Sequence, residues 1–469
     1  MPCGLNLMSS WLVLNSPIFY GYIVAVFGTM GIIATGPGQT PVIGTAISSI
    51  AEELGMERTG VSSLYLLATL GSACTLPFVG RLLDRFGPPP MFAAASLGLS
   101  CACFAFATFV RSGLSLGIAF YFLRLFGQGS LTLVSQNAIN LWFQKRRGCV
   151  MGVSSFCNSL CLTGLFSSIT KDLVARLGWR PTYLILSQME LFCVLPCGVL
   201  FLKQKPEVYG LLPDGKAVST EPKAGESPSG DVPISPTATA DEDEELPLKA
   251  PRSEASPPPM PLGKSELAES PEPQVQTETV STDAKEDFTY GEAIRTMAFW
   301  SMSMASFAIA ALGTALFFHM DVIFSGSDYS QHLTRIYLSS ASAAAVTTLG
   351  AGFLIDIVKP QFIMTASLCC NMLLLLMSGL VVRKHMNTRW FFCVGLLNGL
   401  SSGSFNACLS VAYASWFGRT HNGKIQGLAN SLTVLGSAVG PAVVSLGHDF
   451  AHRYHDVLFV LAVWPFLCA

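Results

Sequence analysis

The sequence predicts an all-α membrane protein with twelve transmembrane helices arranged as two pseudo-symmetric six-helix bundles. Three features predict this fold: an apolar composition, twelve apolar windows and an internal repeat. Hydrophobic residues make up 51% of the 469 residues, charged residues make up 12%, and the mean hydropathy is +0.49. Soluble domains carry about 25% charged residues, so this composition indicates a membrane protein.

Apolar windows of about 20 residues, long enough to cross the hydrocarbon core, recur along the chain. Six windows precede a polar central segment and six follow it. The predicted spans are residues 18–44, 61–80, 91–110, 114–142, 149–170, 181–202, 297–320, 334–356, 360–382, 389–416, 424–446 and 456–469.

The second half of the chain repeats a stretch of the first half. Residues 124–152 read RLFGQGSLTLVSQNAINLWFQKRRGCVMG, and residues 397–427 read LNGLSSGSFNACLSVAYASWFGRTHNGKIQG. Both stretches contain a Trp-Phe pair followed by two glycines four residues apart. Two related halves around a central site are a common plan among transporters.

The predicted domain organisation has four parts. A short cytoplasmic N-terminus (1–17) precedes the first bundle (18–202), and an acidic cytoplasmic linker (203–290) leads to the second bundle (291–469). Eighteen acidic and six basic residues lie between Pro206 and Tyr290, with almost no aromatic residues. Such a segment buries too little apolar surface to fold alone, so disorder is predicted. Four of its serines precede proline and are candidate sites for a regulatory kinase: Ser227, Ser235, Ser256 and Ser270.

Composition and motifs also exclude several function classes. The net charge of −2 gives no basic footprint for nucleic acid. The 14 cysteines lie mostly in apolar windows without metal-ligand spacing, so neither a metal nor another cofactor is predicted. No glycine-lysine phosphate loop occurs, and no close set of His, Asp and Glu shares a helix face. The prediction is therefore a protein that is not an enzyme and is not driven directly by ATP.

Two related loop motifs follow the second and eighth predicted spans. The first reads GRLLDRFG, from Gly80 to Gly87, and the second reads GFLID, from Gly352 to Asp356. Glycines allow close approach of helices, and a carboxylate at the membrane face can meet a helix N-terminus. Two copies at equivalent places indicate a shared role in both bundles.

These loops resemble a motif of the major facilitator superfamily, and the resemblance covers nearly the whole chain apart from the linker. The family pattern is Gly, three residues, Asp, a basic residue, one residue and Gly. The matching residues are Gly80, Asp84, Arg85 and Gly87. Prolines at 88–90 replace the basic residues that follow in the family. The resemblance implies the superfamily's two-bundle fold and a carrier function.

The resemblance also implies gating partners. In family members the Asp faces the start of the eleventh helix and stabilises the outward-open state. By resemblance, Asp84 would face Gly423 and Lys424. Asp356, with Gly352 before it, would face the turn at Arg147 and Gly148.

Three further matches resemble the branch of monocarboxylate porters and oxalate:formate antiporters. They are GPGQT in the first span, WFQKRRGCVMG before the fifth span, and the histidine in FFHMDVIFSG near the end of the seventh span. This resemblance implies a small organic anion as substrate.

Arg124 lies inside an otherwise apolar span. It is about nine residues from the start of the fourth span, which corresponds to about 14 Å along a helix and places it near mid-depth. A central arginine costs about 2.5–3.5 kcal/mol on insertion scales, so a protein interior or an aqueous cavity is its expected environment. Arg124 is either a counter-charge for an anionic substrate or a gating charge; the alternative is an arginine that bonds backbone carbonyls and Gln128.

The first span is interrupted by GPGQTP, residues 36–41. A broken helix exposes carbonyl and amide groups, which suits a binding site where the break lines a cavity. Gln39 is therefore a candidate substrate contact, and a packing kink is the alternative. Gln128 and Asn398 could also contact substrate, although each could equally bridge helices.

Three titratable side chains are candidates for proton coupling. A buried carboxyl such as Glu190 in the sixth span can take up a proton, whereas packing without a coupling role is the alternative. His319 and Asp321 end the seventh span, and imidazole titrates near physiological pH. An interfacial pair wetted by the outer aqueous phase is the alternative for these two.

The sequence thus predicts a secondary active transporter of a small organic anion, a monocarboxylate in the first instance. It would work by alternating access, with proton symport or anion exchange, in the plasma membrane or an organelle membrane. Its expected partners are the substrate, a proton or counter-anion, the lipid bilayer and a kinase. The alternative is a transporter-like sensor or scaffold that signals through the acidic linker.

Overall fold

A computed structural model describes residues 12–215, 287–323, 330–384 and 388–468. These residues belong to one compact unit. Residues 216–286, which hold most of the predicted linker and its four Ser-Pro sites, lie outside the described part.

Twelve long helices, named α1 to α12 in chain order, build most of the described part of the chain. They are α1 Tyr20–Leu54, α2 Arg58–Phe86, α3 Pro88–Phe109, α4 Gly113–Trp142, α5 Arg147–Leu177, α6 Trp179–Phe201, α7 Met297–Ile323, α8 Ser330–Ile355, α9 Pro360–Lys384, α10 Thr388–Phe417, α11 Asn422–Ala451 and α12 Tyr454–Cys468. Ten of them are long and apolar enough to cross a membrane, α10 has 30 residues, and α12 is a shorter apolar helix. The predicted all-α, twelve-helix architecture is confirmed.

The first helix is longer than the first predicted span. It continues past residue 44 to Leu54, where Gly55 adopts a left-handed conformation (φ 61°) that ends the helix. The apolar window closes earlier because Glu52 and Glu53 lie near the end of the helix, where polar side chains interrupt the apolar run. The hydropathy of the sequence therefore identified the apolar part of α1 but not its polar C-terminal extension.

Four helices of the first bundle deviate from regular α-helical geometry. A short 3₁₀ turn at Gly36–Gly38 breaks α1, with Pro37 inside the turn and Pro41 just after it. Segments of π-helix occur in α4 at Arg124–Leu131, in α5 at Ser159–Phe166 and in α6 at Glu190–Val194. Such segments often mark functional sites, and two of them begin at charged residues singled out in the sequence.

The two bundles meet through two glycine-lined helix pairs, α2 with α11 and α5 with α8. A Cβ atom added to Gly152 of α5 would lie 2.7 Å from the Cα of Gly352 in α8. A Cβ atom added to Gly427 of α11 would lie 3.0 Å from the carbonyl oxygen of Leu76 in α2. Side chains at these glycines would therefore separate the helices, which makes the glycines a packing requirement.

Residues at the start of the predicted linker are folded against the first bundle. Pro206–Tyr209 forms a 3₁₀ turn, and the Asp214 carboxylate accepts hydrogen bonds from consecutive backbone N–H groups. Those donors are Gln144, Lys145 and Arg146, at 3.1, 2.7 and 3.3 Å. Because these amides lie in the turn between α4 and α5, the carboxylate satisfies groups that the helices leave unpaired. The disorder predicted for residues 203–290 therefore does not apply to residues 203–215, which are folded, and residues 216–286 lie outside the described part.

The far end of the linker repeats this arrangement on the second bundle. Asp287 accepts hydrogen bonds from the backbone N–H groups of Arg419 at 3.2 Å and Thr420 at 3.0 Å, and from the Thr420 hydroxyl. These groups lie in the turn between α10 and α11, where Gly418 has φ 87°. We name the end of the bundles that carries these two turns the linker side.

Candidate functional site

Arg124 begins the π-helical segment of α4 and is 3% exposed. Its Nη1 atom donates to the carbonyl oxygen of Gly38 at 3.1 Å and to Oγ1 of Thr40 at 3.3 Å. The guanidinium carbon lies 5.1 Å from the centre of the Tyr65 ring, within the range of a cation–π interaction. Arg124 therefore joins the break in α1 to α2 and α4.

The break in α1 explains why a backbone carbonyl is available to Arg124. In a continuous helix the amide of Val42 would donate to the carbonyl of Gly38. Here the Val42 amide donates to the carbonyl of Gln39 at 3.1 Å instead. The oxygen of Gly38 is left for the guanidinium, so the interruption predicted from GPGQTP contributes directly to the environment of Arg124.

Backbone contact holds the break of α1 against the π-helical segment of α4. A Cβ atom added to Gly127 would lie 2.9 Å from the Cα of Gly38 and 3.2 Å from the carbonyl oxygen of Thr35. The carbonyl of Leu123 and the amide of Gln128 similarly crowd the missing Cβ of Gly38. The two irregular segments therefore pack as one unit, with Arg124 at its edge.

The positive charge of Arg124 has no carboxylate partner within the part of the chain that the structure describes. The ion pairs formed there are Arg180 with Glu53, Arg419 with Glu207 and His455 with Asp456. Among the same residues, Nε of Arg124 and Oε1 of Gln128 are enclosed without a hydrogen-bond partner. The surroundings of Arg124 supply neutral dipoles and an aromatic ring, and they leave the charge uncompensated.

Two of the predicted substrate contacts are engaged within their own bundles. Nε2 of Gln39 donates to Oγ1 of Thr35 at 3.0 Å, one helical turn earlier in the chain. Nδ2 of Asn398 donates to Oγ of Ser340 at 2.6 Å and is buried between α10 and α8. Asn398 therefore bridges helices, which is the alternative interpretation stated for it above. Gln39, in contrast, lies between Gly38 and Thr40, the two residues that accept hydrogen bonds from Arg124.

Glu190 lies within the first bundle, between α6 and α3. It is fully buried at the start of a π-helical segment, and its Oε2 accepts a hydrogen bond from the Ser96 hydroxyl at 3.2 Å. Its Oε1 has no hydrogen-bond partner among the described residues. One turn earlier, the Ser187 hydroxyl donates to the carbonyl of Ser100 at 2.9 Å, so polar contacts line this helix pair.

His319 lies within the second bundle and connects α7 to α11. Its Nε2 is 3.0 Å from the carbonyl oxygen of Pro441 and 3.2 Å from the hydroxyl of Ser445. The ring centre of Tyr454 in α12 is 6.0 Å from that of His319. Asp321 lies on the last turn of α7, and its side chain is outside the described part.

Asp84 makes the contact that the loop resemblance implies. Its two carboxylate oxygens accept hydrogen bonds from the backbone N–H groups of Gly423 at 2.8 Å and Lys424 at 2.9 Å. These are the first amides of α11, which have no partner within the helix and lie at the positive end of its dipole. The missing Cβ of Gly80 is crowded by Gly423, so the carboxylate and the close packing occur together.

Asp356 makes the equivalent contact on the other helix pair. Its oxygens accept hydrogen bonds from the backbone N–H groups of Gly148 at 2.7 Å and Cys149 at 2.8 Å, at the start of α5. Burial raises the pKa of Asp356 above its ordinary value, and these two donors partly offset the rise. The Arg147 side chain turns away and donates to the carbonyls of Phe143 and Asn140 at the end of α4.

The remaining residues of the first loop shape the turn between α2 and α3. Gly87 has φ 80°, a conformation that favours glycine, and Gln204 occupies the space where a side chain would lie. Arg85 is exposed on the linker side, 5.4 Å from the centre of the Phe86 ring. Gly87 is therefore needed for backbone geometry, whereas Arg85 faces solvent.

The contact between bundles includes an arginine that sequence reasoning did not single out. Nη1 of Arg419 donates to the carbonyl of Leu141 at 2.7 Å, and its Nη2 pairs with Oε1 of Glu207 at 2.6 Å. Arg419 belongs to the second bundle, and both of its partners belong to the first half of the chain. A weak signal for this residue was its position, because it closely follows the repeated Trp-Phe pair.

Two hydroxyl-bearing residues beside Arg124 were also missed. Oγ1 of Thr40 and the hydroxyl oxygen of Tyr65 lie 2.9 Å apart. Tyr65 shares one face of α2 with residues of the interface to α11, at spacings of three and four: Thr69, Ala73, Leu76 and Gly80. That spacing was visible in the sequence and could have identified Tyr65.

Comparisons with known proteins agree on the fold. The family model of the Major Facilitator Superfamily matches residues 18–441. The crystal structure of the human organic anion transporter MFSD10 (TETRAN) is similar, with a TM-score of 0.61 and 14% identity over 97% of this chain and 100% of that chain. The E. coli fucose:proton symporter FucP is also similar, with a TM-score of 0.57 and 10% identity over 96% of both chains.

A second FucP structure, in the outward conformation, has a TM-score of 0.59 and 10% identity over 96% of this chain and 97% of that chain. None of the curated proteins matches the sequence. At these identities the structural likeness concerns the fold, whereas the family match spans nearly all of the chain. With its twelve helices and its two carboxylate-capped helix pairs, this chain belongs to the major facilitator superfamily, a family of secondary transporters.

Proposed function

We propose that the protein transports a small organic anion, a monocarboxylate in the first instance. The observation that carries this proposal is the uncompensated charge of Arg124 beside a broken helix. Burying a cation among neutral groups inside a membrane costs free energy, and an anion bound next to it would offset part of that cost. Neutral substrates would gain nothing comparable from this position.

The comparisons support this substrate class. MFSD10, whose fold is similar, is an organic anion transporter. The GPGQT and WFQKRRGCVMG segments resemble the monocarboxylate porter and oxalate:formate antiporter branch of the superfamily. The chemistry of Arg124 supports an anion independently of both, because it depends on residues of this chain.

Alternating access is the mechanism that the helix contacts support. Hydrogen bonds between the bundles cluster on the linker side, at Asp84, Asp356 and Arg419. We propose that these contacts close that side while substrate reaches Arg124 from the opposite side. Breaking them would open the linker side and release the substrate there.

Proton symport and anion exchange both fit this mechanism. For symport we propose Glu190, His319 and Asp321 as the groups that take up the coupled proton. The support for Glu190 is its complete burial with one carboxylate oxygen unpartnered among the described residues. Arg147, Lys424 and the glycine-lined helix pairs would then form the gate.

We also propose that the linker side faces the cytoplasm and that the protein resides in the plasma membrane. The acidic linker with its Ser-Pro sites supports this orientation, since a regulatory kinase would act there. Protease access to the linker in intact and permeabilised cells tests it: cleavage in intact cells would place the linker outside.

Uptake of labelled organic acids by proteoliposomes tests the proposal. Wild-type protein should show saturable uptake, and Arg124→Ala should reduce kcat/KM by about 100-fold or more, since the attraction between the buried charge and the anion, about 3 kcal/mol, is lost. Arg124→Lys should recover part of the activity because it restores the charge.

The matched control is Arg111→Ala, which removes an exposed arginine between α3 and α4. Equal activity of Arg124→Ala and wild type would remove Arg124 from the mechanism. Absence of uptake for every solute and gradient would favour the alternative function, a membrane sensor or scaffold with a transporter fold.

A further inference from the structure

We infer that the hydroxyl pair of Thr40 and Tyr65 is the group that recognises the substrate carboxylate, with Arg124 behind it. This inference rests on the proposed function and identifies the contact atoms. Arg124 itself is 3% exposed, so its guanidinium offers little surface to a ligand. Thr40, in contrast, is exposed, and Tyr65 is partly exposed.

The two hydroxyl groups have more protons to donate than the hydrogen bond between them uses. Oγ1 of Thr40 accepts a hydrogen bond from Nη1 of Arg124 at 3.3 Å, and it lies 2.9 Å from the hydroxyl of Tyr65. The two hydroxyls carry two protons, and the bond between them uses one, whichever group donates. The other proton remains available to a ligand. Whichever group donates, one O–H of the pair is therefore not used within the pair.

The charge of Arg124 makes this donor selective for anions. A hydroxyl that accepts from a guanidinium is polarised and becomes a better donor, because linked hydrogen bonds strengthen one another. Thr40 is also the first residue of the 15-residue second half of α1, so the positive end of that helix dipole lies at the same place. A carboxylate is stabilised by the hydrogen bond, by the charge of Arg124 and by the helix dipole. A neutral amide of the same shape is stabilised only by the hydrogen bond.

The spacing along α2 indicates that the pair faces the space between the bundles. Ser431 of α11 donates to the carbonyl of Ala73 in α2 at 2.6 Å, and Tyr65 lies two turns further along the same face of α2. Eight residues of helix correspond to about 12 Å. Tyr65 therefore lies beyond this inter-bundle hydrogen bond, away from the linker side, where a substrate entering between the bundles would reach it.

A double-mutant cycle on transport tests the inference, using full-length protein in proteoliposomes and labelled monocarboxylates. In Tyr65→Phe the Thr40 hydroxyl can still donate, and in Thr40→Val the Tyr65 hydroxyl can still donate. Each single variant should raise KM only a few-fold. The double variant lacks both donors and should raise KM about 10- to 100-fold, the range for a hydrogen bond to a charged group, with little change in kcat.

The chain supplies a matched control. Thr75 and Tyr121 form the same kind of hydroxyl pair, at 2.8 Å between α2 and α4. The double variant Thr75→Val with Tyr121→Phe should leave KM unchanged. Thr40→Ser keeps the hydroxyl and should retain wild-type KM, which separates loss of the donor from misfolding.

The outcomes separate the inference from the proposed function. If wild type transports monocarboxylates and loses this activity with Arg124→Ala, while the Thr40/Tyr65 double variant keeps wild-type KM, the inference is wrong and the proposed function stands. An equal rise of KM in the Thr75/Tyr121 control would also overturn the inference. If wild type transports no organic anion, both fail together.

Discussion

Arg124 is a cation that the protein surrounds with neutral groups. Its insertion costs about 2.5–3.5 kcal/mol, and a helix-breaking turn, a hydroxyl and an aromatic ring offset part of that cost. The sequence predicted a buried environment for Arg124 and the break in α1, because the charge and the proline pattern are visible locally. It could not predict that Arg124 bonds the Gly38 carbonyl, since this depends on backbone contact between Gly38 and Gly127.

Side-chain partners of the other polar residues were equally hidden from sequence reasoning. The sequence left two interpretations open for Asn398 and two for His319. In the structure both residues form contacts between helices of the second bundle. Such contacts depend on which faces of two distant helices meet. A single sequence does not contain that information.

At the residue scale, Glu190→Gln should separate proton coupling from transport. Glutamine has nearly the same shape and can still accept the hydrogen bond from Ser96, so the protein should fold normally. It cannot exchange a proton, so accumulation driven by a pH gradient should be lost while exchange of anions continues. Uptake with and without an imposed pH gradient measures this.

The matched control for that experiment is Glu53→Gln, which removes a surface carboxylate paired with Arg180 at 2.7 Å. It should leave gradient-driven accumulation intact. Persistence of accumulation in Glu190→Gln would assign Glu190 to packing between α3 and α6.

Helix pairs with glycine at the contact are the main feature at the element scale. The pairs α2–α11 and α5–α8 occupy equivalent positions in the two halves, and each has an aspartate that caps the partner helix. The resemblance of the two loop motifs to the family pattern implied both contacts, because the glycine spacing and the carboxylate that carry the resemblance are local features. The π-helical segments were not predictable, since an inserted residue in a helix leaves no pattern in hydropathy.

Gly352→Ala should weaken closure on the linker side. A Cβ atom here would collide with the Cα of Gly152, so α8 and α5 must separate. The Cys149 thiol at the start of α5 should then react faster with a membrane-impermeant maleimide, by about 10-fold if closure loses about 1.4 kcal/mol. Mass spectrometry of the peptide containing Cys149 gives the rate.

Gly350→Ala is the control for that substitution, because a Cβ atom at Gly350 meets no atom within 4 Å. It should leave the labelling rate unchanged. Equal rates for Gly352→Ala and wild type would show that the glycine contact does not control closure.

At the scale of the whole molecule, closure of the linker side combines contacts from both halves. Asp84 and Asp356 cap helices of the opposite bundle, and Arg419 reaches Glu207 and the carbonyl of Leu141. The ends of the linker, through Asp214 and Asp287, hold the two turns that carry these contacts. The repeated sequence predicted two related halves. The contacts that Asp214 and Asp287 make with the two turns were visible only in the structure.

The most direct test of alternating-access transport of an organic anion is counterflow in proteoliposomes. Vesicles containing wild-type protein are loaded with an unlabelled monocarboxylate and diluted into a trace of the labelled compound. A carrier that alternates between two sides should transiently accumulate label above its equilibrium level, with no ion gradient imposed. Label entry no faster than into protein-free vesicles, for every organic acid tried, would contradict the account.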